Sequence, residues 1–223
     1  MTVTRTHRAP PSPSSRGGAP RPHVGVLVPV GNVVVRSELI LLRPGAAHYH
    51  YVPISVGPDG LHAAVTAGLG ELNDVPVSGV LLAQTTPVDL AWKAPVVTAF
   101  DAVMTGLRRA GIRRVALATP RGAHATAALA AAMTSRGVEV TGQAGLDWTG
   151  DPAQITAGHI WRLVRGLGHD ALTAADVLVL GSTTWRTREL LTELSDYYGL
   201  RALSSTWAMA QYAATKFTTT GPR

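Results

Sequence analysis

The sequence predicts an α/β protein with two similar Rossmann-like halves, whose parallel sheets are related by a pseudo-two-fold axis with a ligand cleft between them. From residue 24 onward, apolar runs alternate with helix-like segments, as is typical of a mostly parallel sheet. Two of these runs, 80–83 and 177–181, end in matching polar turns, Gln84-Thr85-Thr86 and Ser182-Thr183-Thr184. Because ligands of parallel sheets bind outside the carboxyl ends of the strands, we expect both turns to face one cleft.

Composition excludes several classes of protein. The chain has 223 residues, which is enough for one large domain or two small ones. A hydrophobic content of 46% with 15% charged residues excludes a disordered or fibrous chain over most of its length. No apolar run approaches the roughly 18 residues of a membrane span. The sequence has no cysteine, which excludes disulfides, a thiolate nucleophile and cysteine-bound zinc.

Positive charge is concentrated at the amino terminus. Residues 1–22 carry Arg5, Arg8, Arg16 and Arg21 without any acidic residue, out of a net charge of +6. This segment is rich in Pro, Ser and Gly and is predicted to be a disordered basic tail; a basic arm for an acidic partner is the alternative. Nucleic-acid binding is not expected, since the tail lacks interleaved aromatic residues and the remainder is nearly neutral. No secretory signal is apparent, so we expect a cytoplasmic protein.

The predicted elements follow one another in regular order. Strands are predicted at 24–29, 48–55, 77–83, 113–118, 138–142, 176–181 and 201–204. Helices are predicted at 61–72, 98–110, 122–136, 153–167, 185–198 and 207–215. The helix at 98–110 is the clearest, because it has an apolar stripe, Arg108 and Arg109 in its last turn, and Gly111 just beyond.

The order of these elements divides the chain into two halves. We expect residues 23–97 with 204–223 to form the first α/β half and residues 98–203 the second. Each half has one strand that ends in proline, at Pro29 and Pro120, and one that ends before Thr-Thr. A duplication would place four loops around the cleft, although similar turns in unrelated halves could also arise by chance.

Several stretches of the sequence resemble stretches of known enzymes. Residues 25–32 resemble the opening strand and Pro-x-x-Asn loop of maleate isomerases. Residues 106–119, 56–60 and 203–206 are similar to arylmalonate decarboxylases. Together these stretches resemble the branch of the aspartate/glutamate racemase superfamily that holds both kinds of enzyme. The resemblance spans about residues 24–213 and rests on the order and spacing of these stretches.

The resemblance implies a site from which the usual catalytic residues are missing. In the family, two cysteines, one from each half, face each other across the cleft. Racemases use both as acid and base, maleate isomerases use one as a nucleophile, and the decarboxylases keep one as a proton donor. Those positions correspond here to Gln84 and Ser182, and Arg121 stands where the family has a tyrosine. A serine hydroxyl must be activated by a base, and an amide does not titrate. The family's two-base racemisation is therefore not expected.

The resemblance implies that the family's binding loops are kept in this sequence, since they retain their hydroxyl-bearing residues. The resemblance implies that carboxylate and enolate oxygens are held by these residues: Asn32, Thr85, Thr86, Thr183 and Thr184. Arg121 is expected to clamp a carboxylate. Ser182, Gln84 and His124 are the candidate catalytic residues, with Ser182 as a proton relay or hydrogen-bond donor.

Other polar and aromatic residues have more than one interpretation. His48 and His50 face the same side of one strand, which lines the cleft or lies at a solvent-exposed face. No third ligand accompanies them, so no metal site is predicted. Asp89 is expected at a helix start or on the surface. Trp185 and Trp207 either wall the site or fill the core.

Two functions of different classes remain open. The first is a cofactor-independent isomerase or lyase acting next to a carboxylate of a small or biosynthetic substrate. The second is an inactive relative that binds a carboxylate or a partner. Neither a Gly-x-Gly-x-x-Gly nor a Walker loop is present, so no cofactor is expected. The expected partner is a small-molecule carboxylate, and binding to nucleic acid or to a membrane is not expected. The sequence leaves open whether the chain forms a homo-oligomer.

Overall fold

Two four-stranded parallel sheets form the framework of the protein, seen in a computed structural model that describes residues 21–88 and 91–217. The first sheet has the order β2-β1-β3-β4 and the second the order β6-β5-β7-β8. The strands are β1 (His23–Pro29), β2 (His48–Ile54), β3 (Gly79–Leu82), β4 (Val96–Thr98), β5 (Arg114–Thr119), β6 (Glu139–Gly145), β7 (Val177–Leu180) and β8 (Ala202–Ser204). The predicted α/β fold with two parallel sheets is confirmed.

Helices cover these sheets. They are α1 (Val34–Leu42), α2 (Gly60–Gly70), α3 (Ala99–Arg109), α4 (Ala123–Ser135), α5 (Ala157–Gly166), α6 (His169–Ala174), α7 (Leu190–Tyr198) and α8 (Ser205–Lys216), with a 3-10 turn at Pro152–Gln154. The strands β3 and β7 are buried along their whole length, which explains their uninterrupted apolar sequences.

The sequence prediction missed α1, β4 and α6. The α1 segment begins with β-branched residues and its Val33 N-cap makes no side-chain hydrogen bond, so it lacks the usual signal of a helix start. β4 has only three residues and α6 only six. The predicted helix at 185–198 begins later, at Leu190, because the preceding loop is held by contacts described below.

The two halves repeat each other in strand order and in the register at which their strands begin to pair. The first residues of β1 and β5, His23 and Arg114, lie 91 residues apart, and so do those of β2 and β6, His48 and Glu139. His23 pairs with His48, and Arg114 pairs with Glu139 in the same way. The register differs at one point, a shift between Val115 and Ala116 in the pairing of β5 with β6, which β1 and β2 do not have. The same strand order and the same starting register favour duplication over a chance likeness of two turns.

The halves share one core. The largest hydrophobic cluster contains Val26 and Leu81 of the first sheet together with Leu117 and Val179 of the second. Helix α8, which follows the last strand of the second sheet, packs against α3 and α1. The domain division at 97/98 and 203/204 stays a prediction.

Two predicted features fall on residues outside the described ranges. The predicted disordered basic tail, residues 1–22, is described only at Arg21 and Pro22, and Asp89 is also outside. Within the part of the chain that the structure does describe, no helix has the length and apolar character needed to cross a bilayer.

His48 and His50 lie at the amino ends of the strands, at the opposite end of the sheet from the polar turns. The Nδ1 atom of His23 lies 2.7 Å from Nε2 of His50, and the rings of His23 and His48 are 5.2 Å apart. This histidine cluster therefore does not line the cleft. Across residues 21–88 and 91–217, no group of three or more histidines and carboxylates has the arrangement of a metal site.

Replacing the matched helix caps should destabilise both halves equally. Thr98 Oγ1 accepts a hydrogen bond from the Asp101 N–H at the start of α3 (3.0 Å), and Ser204 Oγ accepts one from the Trp207 N–H at the start of α8 (3.1 Å). We expect Thr98→Ala and Ser204→Ala each to lower the free energy of unfolding by about 1 kcal/mol in urea denaturation. A loss below about 0.3 kcal/mol at either position would contradict the cap assignment.

The histidine cluster should make stability depend on pH. Partial burial, followed by the nearby His23 and His48, lowers the pKa of His50. The unfolded chain then binds a proton that the folded chain does not, so stability should fall as pH drops below about 6.5. We expect His50→Gln to flatten this decline in urea denaturation between pH 7.5 and 5. The exposed His62, replaced as His62→Gln, serves as the control; an unchanged pH slope in His50→Gln would reject the prediction.

Candidate functional site

The four loops at the carboxyl ends of β1, β3, β5 and β7 converge where the halves meet. The Nδ2 atom of Asn32, after β1, donates a hydrogen bond to Thr183 Oγ1, after β7 (2.9 Å). Thr183 Oγ1 in turn donates to the carbonyl oxygen of Ala83, after β3 (3.2 Å). Asn32 Oδ1 also accepts from the Val35 N–H (3.2 Å), which fixes the start of α1. Asn32 thus ties the first loop to the polar turn after β7, and Thr183 of that turn ties it in turn to the end of β3.

A second contact crosses between the halves in the opposite sense. Arg121, after β5, donates from Nη2 to Gln84 Oε1, after β3 (3.2 Å). The same Oε1 atom accepts the N–H of Thr85 (2.9 Å). Each half therefore sends a side chain from its first loop to the polar turn of the other half, as a pseudo-two-fold arrangement requires.

The two polar turns have the same backbone geometry. The Ala83 N–H donates to a carbonyl oxygen of β1 at 2.9 Å, and the Gly181 N–H donates to the equivalent carbonyl oxygen of β5 at 2.8 Å. The N–H groups of Gln84 and Ser182 donate to the carbonyl two residues earlier, at 2.7 and 3.0 Å. Gln84 and Ser182 therefore occupy equivalent positions in the two halves.

Ser182 is held within its own turn. Its side chain is buried, accepts the N–H of Thr184 (3.2 Å) and shares a hydrogen bond with Thr184 Oγ1 (2.9 Å). Among the described residues, no histidine or carboxylate is hydrogen-bonded to its hydroxyl. The geometry does not activate Ser182 as a nucleophile, because activation requires a neighbouring base.

A pocket of about 280 Å³ brings four of the predicted site residues together. It is lined by Thr85, Thr86, Arg121 and His124, with an apolar wall from α4 and Pro87. Thr86 and His124 are exposed, while Thr85 is buried and its Oγ1 atom has no hydrogen-bond partner within the described part of the chain. We call this space the Arg121 pocket.

The Arg121 pocket has an electropositive lining. Arg121 is partly buried, and this burial lowers the pKa of its guanidinium, which nevertheless stays protonated at neutral pH. Among residues 21–88 and 91–217, no carboxylate forms a salt bridge with it. A partly desolvated cation without an acidic partner favours an anionic ligand.

Three further predicted binding residues lie outside this pocket. Asn32 lines a separate hollow of about 340 Å³ that also contains Arg36 and Tyr51. Thr183 is buried between the halves by its two hydrogen bonds, and Thr184 is engaged with Ser182. These residues shape the junction of the loops, whereas Thr85, Thr86, Arg121 and His124 share one solvent-accessible space.

The two tryptophans that follow the polar regions lie away from the Arg121 pocket. Trp185 is fully buried in the core of the second half. Trp207 is half-buried on α8, with the Arg201 guanidinium 5.6 Å from its ring centre. Trp185 therefore fills the core, and Trp207 lines the groove between α3 and α8.

Sequence analysis missed Glu38, a buried carboxylate on α1. Only 5% of Glu38 is exposed, and Oε1 accepts the N–H groups of Thr187 (2.6 Å) and Arg188 (2.9 Å) while Oε2 accepts the hydroxyl of Thr187 (3.1 Å). The contact joins α1 to the loop after β7, which also carries Ser182. The available signal was an acidic residue within the apolar segment 33–42, but that segment was not predicted as a helix.

Removing the Glu38 carboxylate should cost considerable stability. Glu38→Ala would leave two backbone N–H groups without their acceptor, so we expect a loss of about 2–4 kcal/mol in urea denaturation. Glu38→Gln keeps one carbonyl oxygen as acceptor and should lose less. The exposed Glu193, replaced as Glu193→Ala, should change stability by less than about 0.5 kcal/mol. Equal effects of Glu38→Ala and Glu193→Ala would refute this role.

Comparison with known proteins identifies the family. The sequence profile of arylmalonate decarboxylase matches residues 84–221. Unliganded arylmalonate decarboxylase is 23% identical, with a TM-score of 0.72 over 91% of this chain and 96% of that chain. A variant of Nocardia farcinica maleate cis-trans isomerase with a covalent succinylcysteine intermediate is 20% identical, with a TM-score of 0.73 over 87% of this chain and 93% of that chain.

A third solved structure shows the same fold with a ligand. A variant of the maleate isomerase from Pseudomonas putida, with maleate, is 17% identical, with a TM-score of 0.71 over 87% of this chain and 90% of that chain. No curated protein matches the sequence. The resemblance seen in the sequence is confirmed: this cysteine-free chain belongs to the arylmalonate decarboxylase family, in the aspartate/glutamate racemase superfamily.

Proposed function

We propose that this chain is a cofactor-independent enzyme of the lyase or isomerase type that acts next to a carboxylate of a small substrate without cysteine. Its family relatives act on carboxylates. The observation that carries the proposal is Arg121, a partly buried cation without a salt bridge to any described carboxylate, in a pocket with Thr85, Thr86 and His124. Arginine binds carboxylates through paired, charge-assisted hydrogen bonds.

The missing thiols favour a reaction that begins without removal of a proton. Racemisation needs a base, and isomerisation through a covalent adduct needs a nucleophile. Gln84 does not titrate, and Ser182 has no neighbouring base among the described residues. In a decarboxylation, the carbon–carbon bond breaks, its electron pair passes into the remaining carboxylate as an enediolate, and CO2 leaves. Within the proposed class, decarboxylation is therefore favoured.

The residues of the Arg121 pocket have distinct roles in this proposal. Arg121 and the hydroxyls of Thr85 and Thr86 hold the carboxylate and stabilise the enediolate charge; preorganised donors of this kind contribute roughly a few kcal/mol each. His124 is the one histidine among the described residues that line the pocket, and imidazole is the side chain that most often transfers protons in catalysis. In the proposal, His124 donates a proton to the carbon from which CO2 has left.

The second candidate is a relative that binds a carboxylate without transforming it. The specific observation in its favour is that Gln84 and Ser182, at the positions of the family's cysteines, are both hydrogen-bonded within their own turns. Such a protein would keep the anion site and lack turnover. Formation of product from a bound ligand distinguishes the two candidates.

Binding should depend on Arg121. We expect wild-type protein to bind substituted malonates or maleate in isothermal titration calorimetry, and Arg121→Ala to bind them about 10- to 100-fold more weakly, the value of a hydrogen bond to a charged group. Arg108→Ala, an exposed arginine at the end of α3, is the matched control and should bind normally. Unchanged affinity in Arg121→Ala would overturn the assigned carboxylate site.

Turnover should depend on His124. In D2O, NMR should detect loss of CO2 from a substituted malonate and deuterium at the carbon that carried it. We expect His124→Gln to keep the affinity for the ligand and to lower kcat about 100-fold, as for loss of a general acid. Binding without product in the wild-type protein would support the non-catalytic candidate, and unimpaired turnover in His124→Gln would remove His124 from the mechanism.

A further inference from the structure

The side-chain oxygen of Gln84 occupies a position that suits an anion. Its Oε1 atom accepts hydrogen bonds from the Thr85 N–H at 2.9 Å and from Arg121 Nη2 at 3.2 Å. One donor belongs to the polar turn of the first half and the other to the second half. A backbone N–H together with a guanidinium is the donor set that proteins use to bind a carboxylate oxygen.

The occupant of this position is only a partial match for its donors. The amide oxygen of Gln84 carries no net charge and does not neutralise the Arg121 guanidinium. None of the described carboxylates forms a salt bridge with Arg121 either. For the neutral Thr85 N–H, a carboxylate acceptor makes the hydrogen bond charge-assisted and about twice as strong, and for Arg121 it adds the attraction of a full opposite charge. Both donors would therefore bind a carboxylate oxygen more strongly than they bind Gln84.

The equivalent residue of the second half closes its own turn in a similar way. Ser182 Oγ accepts the Thr184 N–H at 3.2 Å, just as Gln84 Oε1 accepts the Thr85 N–H. No arginine is hydrogen-bonded to Ser182 among the described residues. The cation makes the Gln84 turn the one that suits an anion.

We infer that Gln84 is a built-in competitor for the ligand carboxylate. Its Oε1 atom takes the position of one carboxylate oxygen between the Thr85 N–H and Arg121, and the ligand binds by displacing it. Gln84 is then a residue that sets affinity, in place of a proton carrier. The inference rests on the proposed carboxylate site and assigns the place of one ligand oxygen within it.

Two substitutions at Gln84 should act in opposite directions. Gln84→Ala removes the competitor, so malonate should bind about threefold to tenfold more tightly than to wild-type protein in isothermal titration calorimetry, the value of a net hydrogen bond. Gln84→Glu places a permanent carboxylate beside Arg121, so malonate should bind at least about tenfold more weakly. Gln143→Ala, an exposed glutamine on the edge strand β6, is the control for loss of a glutamine side chain.

Hydrogen exchange provides a readout that does not depend on turnover. The Thr85 amide should exchange faster in Gln84→Ala than in wild-type protein, and saturating malonate should restore its protection. Damage to the fold would instead weaken malonate binding in both Gln84 variants and speed up exchange throughout β3.

The outcomes separate this inference from the proposed function. If wild-type protein binds malonate and Gln84→Ala binds it more weakly or equally, the competitor role is wrong while the carboxylate site stands. If neither protein binds malonate, both the site and the competitor role are overturned. Tighter binding by Gln84→Ala with weaker binding by Gln84→Glu supports both.

Discussion

The site depends on a pair of hydrogen bonds that cross between the two halves. Asn32 of the first half donates to Thr183 of the second, and Arg121 of the second half donates to Gln84 of the first. Parallel sheets bring loops to their carboxyl ends, and these crossed contacts hold loops of different sheets together above the shared core. The hydrogen bond from Thr183 Oγ1 to the Ala83 carbonyl and the buried carboxylate of Glu38, between α1 and the loop after β7, add further links. These links make one site from two repeated units.

The absence of cysteine changes the chemistry that this scaffold can support. The chain has no cysteine, and its two polar turns carry an amide at Gln84 and a buried hydroxyl at Ser182, each hydrogen-bonded within its own turn. What remains is electrostatic: a partly buried guanidinium, hydroxyl groups and an exposed histidine around one pocket. Charge stabilisation in a preformed site is commonly the largest contribution to catalysis, and it does not require a covalent intermediate.

The sheets and the two polar turns could be predicted from the sequence. Uninterrupted apolar runs indicate buried strands, and the polar residues that follow them indicate where those strands end. The sequence did not predict α1, whose Val33 N-cap makes no side-chain hydrogen bond and whose start is held by the preceding Asn32, and so Glu38 was missed with it. It also did not predict that Asn32 and Thr183 bind each other while Thr85 and Arg121 share a pocket. Which residues meet at the loop junction and which line the pocket depends on side-chain contacts such as that between Asn32 and Thr183, 151 positions apart, for which a single sequence contains no signal.

The most direct test of the account is a crystal structure of the protein with malonate. The account predicts a malonate carboxylate within hydrogen-bond distance of both the Arg121 guanidinium and the Thr85 N–H, with the Gln84 side chain turned away from that position. A malonate bound elsewhere, with Gln84 Oε1 still between Thr85 and Arg121, would contradict it.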